Sequence, residues 1–289
     1  MDLYQEITDR IIAEMEKGVI PWLKPWIGNN QAVSHATGKP YSLLNQFLLG
    51  EPGEYLSFKQ CQREGGTVKK GTKARMVVFW KMLERDMTDS AGNPVLDKDG
   101  NHKKSTIPYL QYSNVFHIRD CDGIKAKYDL GTGARANNDP IAEAQHVVAD
   151  YVSRSGVHFF TKEQNEAYYS PSTDTVVIPL LSQFRSSADY YATAFHELTH
   201  STGHPSRLNR IEKRAAFGNE EYSKEELVAE IGSAALISHV GIETPDTFRN
   251  SAAYVQSWLK ALQNDKRLIV SASGKAEKAV NLILGSEVI

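Results

Sequence analysis

His196-Glu197-Leu198-Thr199-His200 is the stretch on which the reading of this chain turns. Tyr190 to Phe195 leads into it without Pro or Gly, and Gly203 and Pro205 follow it, so the segment reads as a helix that stops at Gly203. On a helix, His196 and His200 project from one face a turn apart. Two neutral imidazoles so placed can share a metal ion. Glu197, one residue round, can reach a water on the open side of that ion and take its proton.

Working outward, Ser223 to Ile237 reads as a second helix, with Ser223 and Glu226 at the spacing of a capping box. Glu230 stands among Val228, Ala229, Ile231 and Ala234, where a buried carboxylate needs a partner. Glu226 and Glu230 share a face. One would complete a His-His-Glu site and the other would fix a ligand His through its second nitrogen; burial favours Glu230 as the ligand. Gly232 and Ser233 would let the two helices approach closely. His204, Arg207 and Tyr222 are candidates to donate to an oxyanion or to support the ligands. Three protein ligands leave one open position, the pattern of catalytic zinc. One divalent ion is expected, zinc first, with manganese an alternative because loading follows availability as well as ligands.

Upstream, Tyr168 to Pro179 reads as two short strands around a turn at Ser170-Pro171-Ser172-Thr173-Asp174. An exposed sheet edge there could hold an extended peptide by main-chain hydrogen bonds. A helix from Ile141 to about Arg154 and a strand near His158 precede them, and two more helices, about Ala252–Leu262 and Lys275–Leu284, close the chain.

The first half has a different character. Residues 3–17 read as an amphipathic helix ended by Gly18, followed by Pro21-Trp22-Leu23-Lys24-Pro25-Trp26. Short helices are expected at Ser42–Leu49 and Phe58–Glu64, then strands at Met76–Met82 and Ile107–Ile118 joined by a polar excursion. In that excursion Asp97, Asp99 and Asn101 have a turn's chemistry and lack the Gly and late Glu of a calcium loop. Lys59, Arg63, Lys69, Lys70, Lys73, Arg75 and Lys81 interleave with Phe58, Phe79 and Trp80. Cations attract a phosphate backbone and aromatic faces stack unpaired bases without reading sequence, so these residues, with Trp22 and Trp26, make a candidate single-strand surface. The competing reading puts the Trp side chains in the core.

Residues 1–128 carry 18 basic and 15 acidic residues, net +3; residues 129–289 carry 15 and 20, net −5. The small, polar stretch 129–140 between them is the expected linker. Two α+β domains are therefore expected, 1–128 and 141–289, with different partners. No apolar run approaches the ~20 residues of a membrane span. The start lacks the basic and apolar segments of a signal peptide, and two cysteines make no disulfide framework. A cytoplasmic protein with no membrane partner is expected.

The chain resembles the ArdC-type antirestriction proteins of conjugative plasmids and the N-terminal region of the related TraC-type plasmid primases. The resemblance runs nearly end to end. In the first half it rests on Pro21 to Trp26, Thr37-Gly38-Lys39-Pro40-Tyr41, Leu56 to Gln60, Lys69-Lys70-Gly71 and Val78-Phe79-Trp80-Lys81. In the second it rests on Ala167-Tyr168-Tyr169, His196 to His204, Arg207-Leu208-Asn209-Arg210 and Glu225 to Glu230; His117 departs from the Asn expected there. The resemblance implies an N-terminal domain that binds single-stranded DNA without strong sequence preference and a C-terminal zincin-like metallopeptidase domain. It also implies protection of incoming plasmid DNA from host restriction, with a host restriction component among the conceivable protein substrates. The segment Glu226 to Glu230 is similar to the third-ligand helix of thermolysin-like peptidases; on that analogy Glu226 is the ligand and Glu230 orients His196. The alternative function is a non-catalytic coat for entering single strands, its metal site structural or vestigial. A nuclease is a poorer fit, because phosphodiester hydrolysis usually recruits paired metals.

Overall fold

The structure, a computed structural model, describes residues 2–17, 19–23, 31–128, 130, 140–211, 220–242 and 252–286, of which 140, 220–222 and 252–257 are described by their backbone alone. Gly18, Trp26 and nearly all of the expected linker lie outside the described residues.

Helix α1 (Leu3–Glu16) starts where the Asp2 carboxylate accepts from the Tyr4 N–H at 3.1 Å, and it buries Ile7, Ile11 and Met15 along one side. Strand β1 (Ala32–Ser34) and helix α2 (Leu43–Leu49) follow. Gly50, at φ 72°, ends α2 in the left-handed conformation that glycine adopts without penalty. Strand β2 (Gly53–Ser57), helix α3 (Phe58–Arg63), the short strand β3 (Thr67–Val68) and the long strands β4 (Arg75–Asp86) and β5 (Lys104–His117) come next, then β6 (Cys121–Asp122). Four of these strands make a sheet in the order β1-β2-β5-β4, parallel only between β1 and β2; β3 and β6 pair separately. The β4 and β5 ladder runs from Arg75↔Val115 to Asp86↔Lys104, longer than the sequence pattern marks. Beyond it Asp97 accepts from the N–H groups of Asp99 and Asn101 at 2.9 Å, a turn as expected. Asn45 of α2 donates to Val78 O at 2.8 Å and accepts from Val78 N at 2.7 Å, so a side-chain amide occupies part of the open edge of β4.

The second half contains α4 (Pro140–Ser155), β7 (His158–Lys162), β8 (Tyr168–Ser170), β9 (Thr175–Pro179), α5 (Ser187–Ser201), α6 (Glu220–Val240), α7 (Ala252–Asn264) and α8 (Leu268–Leu284). The sheet order is β7-β9-β8, with β8 antiparallel at one edge. Helix α6 begins at Glu220, so Ser223 lies inside it and does not cap it. That correction frees Glu226 from the bland role that its spacing offered.

Two large cores result, and α6 and α8 serve both. One gathers α4, the β7-β9-β8 sheet, α5 and the later turns of α6 and α8. The other packs Ile7, Ile11, Trp22, Phe47, Met76 and Val78 from the first half against Leu227, Ile231, Trp258 and Leu268 from the second. Polar contacts cross the same junction: Thr8 Oγ1 donates to Lys266 O at 2.8 Å, and Leu43 N donates to Glu277 at 3.2 Å. Among the described residues no helix is long and apolar enough to cross a membrane.

Candidate metal centre

Helix α5 is fixed at its start by Ser186, whose hydroxyl accepts from Asp189 N at 3.1 Å. Tyr191, Ala194, Phe195 and Leu198 are buried in the core, which leaves His196 and His200 turned toward α6. The two helices approach closely because Gly232 has no side chain. A Cβ there would stand 2.6 Å from Thr199 Cγ2. Ser233 adds a hydroxyl that donates to Ala192 O at 2.8 Å.

That approach delivers the Glu226 carboxylate to the imidazoles. His196 Nε2 and His200 Nε2 lie 3.1 Å apart, and Glu226 oxygens lie 3.5 and 3.3 Å from them. All three candidate ligand atoms fall within 4.8 Å of one another, the one such group among the described residues. Ligands about 2.0–2.1 Å from a tetrahedral ion stand about 3.3–3.4 Å from each other, so the spacing suits one small divalent ion. Glu230 instead faces the other nitrogen, His196 Nδ1, at 3.9 Å. The structure thus brings Glu226 to the metal-facing nitrogens and Glu230 to the rear, against the burial argument and with the thermolysin analogy.

One supporting residue was missed by sequence reasoning. Glu225 lies 3.3 Å from His200 Nδ1, and Arg210 holds its carboxylate with bonds of 2.8 and 3.0 Å. Arg210 also donates to Thr202 Oγ1 at 2.6 Å and to Thr199 O, placing a cation at the C-terminal end of α5. The spacing of Glu225 from Glu226 carries no signal for this, since neighbours on a helix point about 100° apart. The packing of α6 on α5 makes the contact with His200, and the loop that returns Arg210 adds the cation.

The electrostatics follow from that packing. Burial opposes charge on His200, but hydrogen bonds to Glu225 and Glu226 outweigh it and raise its pKa to about 10. His196 is raised for similar reasons, against its own burial, by Glu226. Burial pushes Glu226 the other way, yet the two imidazoles hold it well below the usual carboxylate range. Glu225 is lowered likewise against its burial, by His200 and Arg210, whereas burial raises Glu230. Glu197 is 8% exposed and has no hydrogen-bond or ion-pair partner among the described residues.

Of the other candidates near the site, Arg207 is committed elsewhere. It pairs with Asp174, donates to Ser201 O at 2.8 Å and sits by Tyr169 OH, tying the β8–β9 turn to the end of α5. His204 engages Ser206 through Nδ1 at 2.7 Å, and its Nε2 has no bond among the described residues. The side chain of Tyr222 lies outside the described residues. Strand β8 is an open edge, with Tyr168 exposed.

The candidate single-strand surface divides. Phe79 and Trp80 are 46% and 52% exposed, and Lys59, Arg63, Lys70, Lys73 and Lys81 are exposed with them. Lys69 is exposed too, its ammonium donating to Arg119 O at 2.7 Å. Trp22 is a correction: it is 2% exposed, packed against Trp258 and Phe47 at ring separations of 5.5 and 6.4 Å, and offers no face to a base. Arg75 is another, since its guanidinium pairs with Glu51 and donates to Leu49 O and Tyr55 OH. Two exposed aromatics were missed, Tyr109 and Tyr112. The alternation of β5 is the signal that could have found them: Tyr109 pairs with Lys81, on the face of Phe79, and Tyr112 with Val78, on the face of Trp80.

Two family models match the chain. One, described as the N-terminal domain of anti-restriction factor ArdC, covers residues 1–116; the other, described as a zincin-like metallopeptidase, covers residues 146–275. The metal-free crystal structure of the antirestriction ArdC protein from plasmid R388 is 35% identical, with a TM-score of 0.74, over 98% of this chain and 97% of that one. Its Mn(II)-bound structure is 33% identical with the same TM-score of 0.74, over 99% and 98%. DNA primase TraC of Escherichia coli is 35% identical over 98% of this chain but only 27% of the primase, so the chain spans about a quarter of that relative. An uncharacterized protein y4eC of Sinorhizobium fredii is 29% identical over 96% of this chain and 90% of its own.

Proposed function

The chain belongs to the ArdC family of antirestriction proteins, and from that premise we propose that it binds single-stranded DNA and hydrolyses peptide bonds at the α5–α6 centre, protecting incoming plasmid DNA from host restriction. The observation that carries the peptidase reading is the convergence of His196 Nε2, His200 Nε2 and Glu226 beside a carboxylate, Glu197, that has no hydrogen-bond or ion-pair partner among the described residues.

His196, His200 and Glu226 would hold one divalent ion, for which zinc is our first assignment and manganese the alternative. Such an ion supplies Lewis acidity, polarising a carbonyl and making a nearby water acidic. The protein's own groups do the rest. Glu197 accepts the proton from the attacking water and later returns it to the leaving amine. Glu225 holds the His200 imidazole by Nδ1, and Glu230, 3.9 Å from His196 Nδ1, would favour the orientation that aims Nε2 inward. His204 Nε2 is our choice among the three candidates for a donor to the developing oxyanion. An extended substrate would add to the free edge of β8. In the first half, Phe79, Trp80 and the exposed cations around them would stack bases and neutralise phosphates.

Glu197→Gln keeps the shape and the three ligands but removes the base. Metal content, cleavage of candidate host proteins in the presence of single-stranded DNA, and plasmid transfer into a restricting host are measured together. The expected result is retained metal, lost cleavage and lost protection. Protection equal to the unaltered protein would sink the peptidase as the mechanism and leave a DNA-coating protein.

A further inference from the structure

Helices α6 and α8 frame an open groove of about 260 Å³, at which Arg267, Ser271 and Lys275 are exposed. Arg267, just before α8, and Ser271 and Lys275 on that helix line the groove at four-residue intervals, and Lys224 and Val228 face them from α6. Asp265 closes one end, 3.9 Å from Lys224. The wall therefore carries three cations and a hydroxyl against one carboxylate.

This charge runs against its surroundings. Residues 129–289 are net −5, yet residues 260–278 hold Lys260, Lys266, Arg267, Lys275 and Lys278 against only Asp265 and Glu277. Glu277 faces away, accepting from Leu43 N on the first half. Lys266 also leaves the groove, to pair with Asp2. Arg267 and Lys275 have no ion-pair partner among the described residues, and Arg267 is steadied by Tyr4, its guanidinium carbon 5.3 Å from the ring centroid. Two cations, Arg267 and Lys275, that stay without an ion-pair partner among the described residues beside the Lys224–Asp265 pair cost self-repulsion and fit an anionic occupant. The volume limits that occupant. It falls below the ~300–1,000 Å³ of pockets for drug-sized ligands, and holds several times the ~30 Å³ share of one water. A tetrahedral oxyanion with part of its hydration shell fits, and an arginine fork beside an ammonium is the usual chemistry for it.

We propose that this groove binds a phosphate group, and that its source is the backbone of a single DNA strand that the protein holds. The proposal rests on the single-strand reading above and extends it to the acidic domain. The groove adds a contact that the exposed cations of the first half do not supply.

The test measures anisotropy of a labelled oligothymidylate across a salt series, together with thermal shifts in inorganic phosphate. The proteins are wild type, Lys275→Gln, Ser271→Asp and the exposed Lys278→Gln, which lies outside the groove. Each lost phosphate contact on a single strand lowers the slope of log K against log salt by about 0.7. Lys275→Gln and Ser271→Asp are expected to lower the slope by about that amount and weaken binding severalfold, while Lys278→Gln leaves it unchanged. Phosphate is expected to raise the wild-type melting temperature and not that of Lys275→Gln. Equal slopes for Lys275→Gln and Lys278→Gln overturn the proposal. A groove-dependent phosphate shift with unchanged oligonucleotide slopes overturns the DNA source and leaves a free-phosphate site. A wild type that binds no oligonucleotide overturns the single-strand reading as well, and is told apart by its absence of any salt-dependent signal.

Discussion

Adding one methyl at Gly232 should part the two helices that make the metal centre. A Cβ there meets Thr199 Cγ2 at 2.6 Å and Oγ1 at 2.9 Å, where carbon contacts normally sit at ~3.5–4.0 Å. Thr199 has no room to turn aside, being fully buried with its hydroxyl on Phe195 O at 2.7 Å. Alanine in a helix gains about 0.5–1 kcal/mol over glycine, but overpacking costs about 1–3 kcal/mol. The net for Gly232→Ala is a loss of roughly 0.5–2 kcal/mol. Metal binding should suffer more, since a separation of the helices by about 1 Å carries Glu226 off the spacing that an ion requires; a tenfold loss of affinity is about 1.4 kcal/mol and is the minimum expected. Thr199→Ala removes both clashing atoms and leaves only its Cβ, 3.4 Å from the new methyl. The double variant should therefore recover stability and metal affinity that Gly232→Ala loses. Thermal unfolding and metal titration on the four proteins give the coupling energy, expected at about 1 kcal/mol or more. Additive effects, or a Gly232→Ala protein that binds metal like wild type, would refute the argument that this contact sets the helix spacing.

Metal loading should release protons. The pKa of His200 is raised to about 10, so at neutral pH the ion must displace a proton, and affinity should climb with pH until that value is passed. Calorimetry in buffers of different ionisation enthalpy counts the protons, and a count of zero contradicts it. Glu225→Gln should cost about 10–100-fold in metal affinity with little change in fold, read by competition with a chelator and circular dichroism. Asp174 has its pKa lowered because, against its burial, Arg207 and Tyr169 stabilise the charged form. The pair thus adds stability above the unfolded carboxylate pKa of about 3.9 that is lost as pH falls through the lower folded value. Asp174→Asn should flatten that part of the acid-unfolding curve. Trp22→Ala should destabilise by about 3–5 kcal/mol through the cavity it leaves, whereas Trp80→Ala should spare stability and cost about 1–3 kcal/mol of single-strand affinity.

The elements were largely legible because their signals are local. The His196–His200 helix, the β8–β9 turn and the Asp97 turn follow from spacing and turn chemistry, and each appears where the residues put it. Most of the misreadings share a cause, which is that side-chain direction depends on distant packing. Trp22 beside two prolines was open to a stacking or a core reading, and Trp258, far along the chain, takes its face. Arg75 belonged by sequence to a basic run, but Glu51, just before β2, pairs with it. Ser223 and Glu226 had capping geometry, yet the helix had already begun at Glu220. Glu225 became visible only once α6 packed on α5 and the loop carrying Arg210 folded back upon it.

The core that joins Trp22 and Met76 to Ile231, Trp258 and Leu268 has a consequence for modularity. The halves differ in charge and in the chemistry they bear, yet neither can be excised without baring the apolar side of the other. They should melt in one transition, and a protease that nicks the segment between them should leave a nicked but intact particle. Divergence within such a molecule is constrained accordingly. A change in either half is screened by its effect on a shared interior, so the two halves are selected as a single heritable block.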